Sequence, residues 1–407
     1  MTKDEGRNSK QMRWLAGMAC LVLTILLSCW PGDAQWNAGG DGDDHRLITM
    51  AIDANAHNHL VPAGLGGSFG YPYGPIPAQI YQLLTIISHN PIVLVRLHAI
   101  LFAGMTAIGL LWLSAVLGIS PWLAPMTMLG PFFWFYSRLL WDNTFAIPIG
   151  TLMLAAYGSF LIKQRWITFA VFTAGLLLLP FVHPMTLPLV AAVGFHAIAM
   201  HWRKFLWYWP VLVVLVILMW MSCWPYVVRV AGQIGHSPHL AEPADRLSRA
   251  GAIAFPLFSG RLFCAYGFFD SRGPELGMEQ NPFIAASRYA SLLAYGLVWI
   301  GLAVAGTRIL KTIGLPVLCL AALVFQSVMD GWLRIPPYPH YYCGTWPAIV
   351  VLLWIGLDQL KMVKLRRPVG LIYASCLIVA TGAFVLDIHH HSGGTVWYGP
   401  SMASQLK

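Results

Sequence analysis

The chain has 407 residues, of which 57% are hydrophobic and 13% aromatic, and its mean hydropathy is +0.64. Only 10% are charged, against about 25% in a soluble domain, so a soluble globule and a disordered chain are both excluded. The formal net charge of +9 is scattered among apolar segments rather than gathered into a patch. That excludes nucleic acid as a partner and points instead to the flanks of membrane spans.

A helix crossing hydrocarbon needs about 20 apolar residues. In chain order the sequence predicts about eleven such spans: Trp14–Trp30, Pro91–Ile119, Trp122–Tyr136, Phe145–Ile162, Ile167–Val182, Thr186–Met200, Leu206–Val227, Ala290–Thr307, Ile313–Met329, Tyr342–Leu357 and Val369–Leu386. The fold class is therefore an all-α polytopic membrane protein. It divides into a membrane module over 1–227, an outer loop over 228–289, C-terminal transmembrane helices over 290–388 and an outer tail over 389–407. The first span reads as an uncleaved helix rather than a leader, because so many spans follow it.

With Lys3, Arg7, Lys10 and Arg13 placed in the cytoplasm, alternation puts nearly every basic connection inside, the positive-inside pattern. Seven of the eight lysines fall inside, whereas ten of the seventeen arginines fall outside. Arginine presents a planar fork suited to phosphate and carboxylate, so the outer surface has the composition of an anion-binding face. The long connections 31–90 and 228–289 are also outer, and function is expected there, on the extracytoplasmic side of a bacterial cytoplasmic membrane.

The first outer loop carries Asp41, Asp43 and Asp44 within four residues, followed by His45 and Arg46. Crowded carboxylates raise one another's pKa, which suits a general base, and their hard oxygens attract divalent cations. A short amphipathic helix is expected from Asp44 to Asn58, with Asp44 as its cap and Asp43 beside its positive end. A stiff turn over Tyr71–Pro77, containing Tyr73, leads to a second amphipathic stretch from Ala78 to Ser88. Arg96 opens the second span. Arg138 and Asp142, four apart before the fourth span, are expected on one helical face. His183-Pro184 ends the fifth span, and Arg334, His340 and Tyr341 enter the tenth.

This order of features resembles the GT-C superfamily of integral-membrane glycosyltransferases. The nearest branch is that of protein O-mannosyltransferases, lipid A aminoarabinose transferases and bacterial galacturonosyltransferases. The likeness covers residues 14–200 and, later, only Pro336–Pro347. It implies an inverting transfer from a polyprenyl-phosphate sugar to an acceptor glycan, lipid or protein. The family's first-loop motif, commonly Asp-Glu followed by two residues and an aromatic, is matched in placement by Asp43-Asp44-His45-Arg46-Leu47, with Asp for Glu and Leu for the aromatic. Asp41-Gly42-Asp43 also fits a looser Asp-x-Asp pattern. The base therefore lies among Asp41, Asp43 and Asp44, with Asp43 favoured and Asp142 positioning acceptor, base or metal. A divalent cation, where one is used, would sit on Asp41, Asp43 and Asp142. Tyr73, Arg46, Arg96, Arg138, His183, Arg334, His340 and Tyr341 are the expected contacts to phosphate, sugar and membrane lipids. The competing readings are a polyprenyl-linked glycan flippase or transporter, an O-antigen ligase or polymerase, and a non-catalytic envelope subunit.

Overall fold

The computed structural model describes residues 3–29, 42–67, 72–232, 290, 292–303, 306, 314–333 and 339–390. Expectations for Asp41, Arg334, nearly all of the 228–289 loop and most of the 389–407 tail lie outside those residues.

The helices, in order, are α1 (Lys3–Cys29), α2 (Asp43–Ala56), α3 (Ile76–Ile87), α4 (Pro91–Leu117), α5 (Leu123–Met128), α6 (Pro131–Tyr136), α7 (Ala146–Ile162), α8 (Trp166–Leu178), α9 (Leu187–Phe205) and α10 (Trp209–Ala231). They are followed by α11 (Leu292–Ala303), α12 (Leu315–Trp332), α13 (Trp346–Gln359) and α14 (Arg366–His390). Among the described residues the only β feature is an isolated bridge between Gly66 and Pro72. The protein is an all-α integral membrane protein. The runs at Lys10–Leu27, Pro91–Leu117, Pro184–Ala231 and Leu315–Trp332 are long and apolar enough to cross a bilayer, with shorter apolar helices between them.

Local chemistry sets the ends of these helices. The Asn90 side chain accepts from the Ile92 and Val93 amides, Pro91 occupies the first turn, and Gly118 closes α4 at φ +67° in the left-handed region. The 27 residues between them span about 40 Å at 1.5 Å per residue, enough to cross. α4 packs between α1 and α7, α8 lies against α7, and α9 pairs with α12. α10 exposes Val214, Trp220, Met221 and Trp224, as a helix facing lipid does.

The expected third span, Trp122–Tyr136, is not one helix but two of six residues each. Pro131 has no N–H to give and forces the residue before it out of the helical region, and Gly130 accordingly sits at φ −69°, ψ 142°. The segment still crosses. It leaves the far end of α4 and returns to the end where α4 began, since His98 and Phe145 have ring centroids 5.0 Å apart. Irregular backbone survives at membrane depth only when buried in protein. All six residues of α6 are buried, and the break is served by neighbours: Thr381 donates to the Leu129 carbonyl at 2.7 Å and Trp354 to the Thr127 hydroxyl at 2.9 Å.

The two interfacial helices form as expected and are clamped together. Asn55 donates to the Gln82 carbonyl and the Thr85 hydroxyl, both at 2.9 Å, and Gln82 donates to the His59 carbonyl at 2.7 Å. Leu83, Ile86 and Ile87 of α3 stay exposed, the apolar face of a helix lying in the bilayer surface. Asp44 does not cap α2. Gly42 is the capping residue, with no side-chain bond, and Asp43 and Asp44 both occupy the first turn, where the positive end of the helix favours them.

Candidate active site

One end of the bundle gathers the start of α2, the turn before α7, the turn before α9 and the 3₁₀ segment Pro339–Gly344 ahead of α13. Asp43, half-buried, is fixed by the Trp141 indole N–H, which donates to its Oδ2 at 3.1 Å. The Trp141 carbonyl is itself held by two hydroxyls, Tyr81 donating at 3.1 Å and Thr144 at 2.9 Å. Its ring lies 4.6 Å from that of His340, so one tryptophan joins the acidic loop to the late 3₁₀ segment.

Asp142, next in the chain, is 2% exposed. Burial first, and then the charge of Asp43, push its carboxyl up to about 8, leaving it protonated at neutral pH. Its Oδ2 has no hydrogen-bond partner among the described residues. A buried carboxyl that keeps its proton thus stands beside Asp43, able to donate a hydrogen bond. Arg138 and Asp142 do not share a helical face, because α6 stops at Tyr136 and both residues lie in the turns that follow. Arg138 is buried, its guanidinium 5.3 Å from the Trp134 ring and donating at 3.3 Å to the Leu27 carbonyl near the end of α1.

A second wall is aromatic. His183 packs between Tyr73, at 4.4 Å between centroids, and Tyr341, at 6.1 Å, while His340 lies edge-on to Tyr341 at 4.1 Å. The Met185 amide donates to His183 Nδ1 at 3.2 Å, so the assigned tautomer carries its proton on Nε2. Burial, reinforced by His340, lowers His183 to about 3, and burial lowers His340 to about 3. Both rings are therefore neutral and offer hydrogen bonds and stacking, not charge. Two glycines permit the wall: a Cβ on Gly74 would collide with the Phe181 carbonyl oxygen, and one on Gly344 with that of Met185.

The structure thus brings together Asp43, Asp142, Tyr73, His183, His340 and Tyr341, with Asp44 buried in the first turn of α2 on the side facing Tyr81. It does not bring Arg46 or Arg96 in: both are exposed, on α2 and in the second turn of α4. Trp141 and Tyr81 escaped the reading of the sequence, although Trp141 adjoins Asp142. Among the described residues no group of three His, Cys, Asp or Glu side chains is placed to hold a metal ion. Of the carboxylates expected to hold a cation, Asp43 and Asp142 are described and come together here, with Asp142 Oδ2 buried and without a hydrogen-bond partner among the described residues.

The chain is a polytopic membrane protein whose fold is GT-C-like. A solved structure with this fold is ArnT from Cupriavidus metallidurans bound to undecaprenyl phosphate, at a TM-score of 0.51 and 12% identity. The match covers 92% of this chain and 76% of that one, and at this identity it is a likeness of fold. No family model and no curated protein matches the sequence.

Proposed function

We propose that this protein is an inverting glycosyltransferase, moving a sugar from a polyprenyl-phosphate donor to an acceptor glycan, lipid or protein outside a bacterial cytoplasmic membrane. The observation that carries this reading is the pairing of Asp43, held by an indole N–H, with the buried and protonated Asp142. The shared fold supports the donor class, since ArnT is bound to undecaprenyl phosphate.

Inversion in one displacement needs a base and a stabilised leaving group. Asp43 takes the acceptor hydroxyl proton as that oxygen bonds to the anomeric carbon. The bond from this carbon to the phosphate oxygen breaks, and its electron pair leaves with polyprenyl phosphate. Asp142 donates a hydrogen bond to acceptor or donor. Tyr73, His183, His340 and Tyr341 form the wall against which the sugar packs, and Arg138 supplies positive charge behind Trp134. A divalent cation bound by Asp43 and Asp142 would add charge neutralisation at the phosphate.

Asp43→Asn tests the assignment. Turnover is expected to fall by about 10²–10⁴-fold, the range for loss of a general base, with expression and undecaprenyl-phosphate binding unchanged. Activity within threefold of wild type would move the base to Asp41 or Asp44.

A further inference from the structure

Behind the histidine wall lies a second polar group, on elements the proposed mechanism does not use. Gln326 and Asp330 are one turn apart on α12, 0% and 1% exposed, and Gln326 Nε2 donates to Asp330 Oδ2 at 2.7 Å. The other amide hydrogen points to the Met185 sulfur at 4.0 Å, so Gln326 has no donor left. Tyr342 is fully buried across from them, near enough for Asp330 to act on its phenol electrostatically. Three oxygens are left without a hydrogen-bond partner among the described residues: Asp330 Oδ1, Gln326 Oε1 and the Tyr342 hydroxyl.

Such an arrangement is costly. Each orphaned buried polar group costs about 1–3 kcal/mol, and an ionisable residue inside a membrane protein is by default functional. Asp330 Oδ1 and Gln326 Oε1 each call for a donor, and the Tyr342 hydroxyl can donate as well as accept, a mixed set that the hydroxyl groups of a polyol complement. The group also adjoins the candidate site. Tyr342 follows Tyr341 in the 3₁₀ segment, and Met185 is bonded through its amide to His183. Met185 and Tyr341 pack together, with Met329 of α12 against them.

We infer that Asp330, Gln326 and Tyr342 form a subsite that accepts hydrogen bonds from hydroxyl groups of the transferred sugar, making Asp330 a specificity-determining residue. The inference rests on the glycosyltransferase reading above. A polyhydroxylated guest brings several donors at fixed spacing to a set of acceptors, whereas the lipid phosphate brings none.

The test compares the purified full-length protein with its Asp330→Asn and Tyr342→Phe variants. Affinity is measured for bare undecaprenyl phosphate and for undecaprenyl phosphate carrying glucose, mannose or arabinose. Wild type is expected to bind at least one sugar-bearing lipid tenfold or more tightly than the bare lipid. Asp330→Asn is expected to lose tenfold or more for that lipid while holding bare-lipid affinity within twofold, and Tyr342→Phe to lose about threefold with the same selectivity. Equal losses for both lipids would mean that Asp330 is only structural and would overturn the inference. So would no loss, or a wild type indifferent to the sugar. A wild type that binds no polyprenyl-phosphate lipid at all would instead remove the function on which it rests.

Discussion

The two ends of the helical bundle differ in how far their polar groups are answered within the chain. At the end where α7 closes and α9 finishes, the Tyr157 hydroxyl meets His196 Nδ1 at 2.6 Å and half-buried Asp358 is bridged by Lys361 at 2.6 Å and Arg366 at 3.0 Å, while the Thr173 hydroxyl of α8 has no partner among the described residues. At the other end, buried oxygens of Asp142, Asn143, Asp330, Gln326 and Tyr342 have no partner among the described residues. Burying a polar group unanswered works against stability, so a fold keeps such groups where something outside the chain completes them. On the proposed function, the contrast separates an end that serves stability from an end that receives a ligand.

After Asp43→Asn itself, the largest effect expected from breaking the ligand end comes from Trp141→Phe. It keeps the ring against His340 but removes the hydrogen bond to Asp43, and a bond to a charged group is worth about 1.5–3 kcal/mol. Turnover should fall about 10–100-fold, with the melting temperature lowered by no more than a few degrees. A drop in melting temperature without loss of turnover would place Trp141 among the packing residues.

Asp142→Asn should act through pH. In the fold Asp142 keeps its proton up to about 8, while the unfolded chain releases it near the ordinary 3.8. Its contribution to stability is therefore greatest below the lower value and declines as pH rises between the two. The amide variant is spared that decline. It should melt higher than wild type at pH 7, by the equivalent of at least about 1.4 kcal/mol, and like wild type near pH 3. Wild-type turnover should drop as pH rises through 8, about tenfold per unit once Asp142 is ionised, and the variant should lack that limb. A variant less stable at pH 7, or one that keeps the alkaline limb, contradicts the protonated assignment.

The smallest effect on catalysis belongs to the stable end. Tyr157→Phe removes the hydrogen bond to His196 Nδ1 and should cost about 1–2 kcal/mol of stability in thermal melts. Turnover should stay within twofold of wild type. A large loss of turnover would dissolve the division between the two ends.

Much of this fold is legible in the sequence, because apolar length and the turn residues at its ends are local properties. Phe145–Ile162 was expected and Ala146–Ile162 is found; the interfacial helix expected from Ala78 runs from Ile76. The break at Gly130-Pro131 was also written locally but lay inside a run apolar enough to read as one span. Within the site, Asp43, Asp142, His183 and His340 stand out as ionisable residues at the ends of apolar runs. What could not be read is how they are held. The indole that fixes Asp43 lies 98 positions away, and Gln326 reaches Met185 across 141, so neither contact leaves a periodic mark. The face of a helix that turns inward is likewise a tertiary matter, which is why Arg46 and Arg96 were expected in the site and are found exposed.

The central claim is that the ligand end breaks a sugar–phosphate bond. Purified protein is incubated in detergent with undecaprenyl-phosphate sugars and an acceptor extract, and free undecaprenyl phosphate is followed over time. The account predicts release that depends on both donor and acceptor and is lost in Asp43→Asn. No release with any donor, together with accelerated movement of the same lipids across liposome bilayers, would contradict it and identify a flippase.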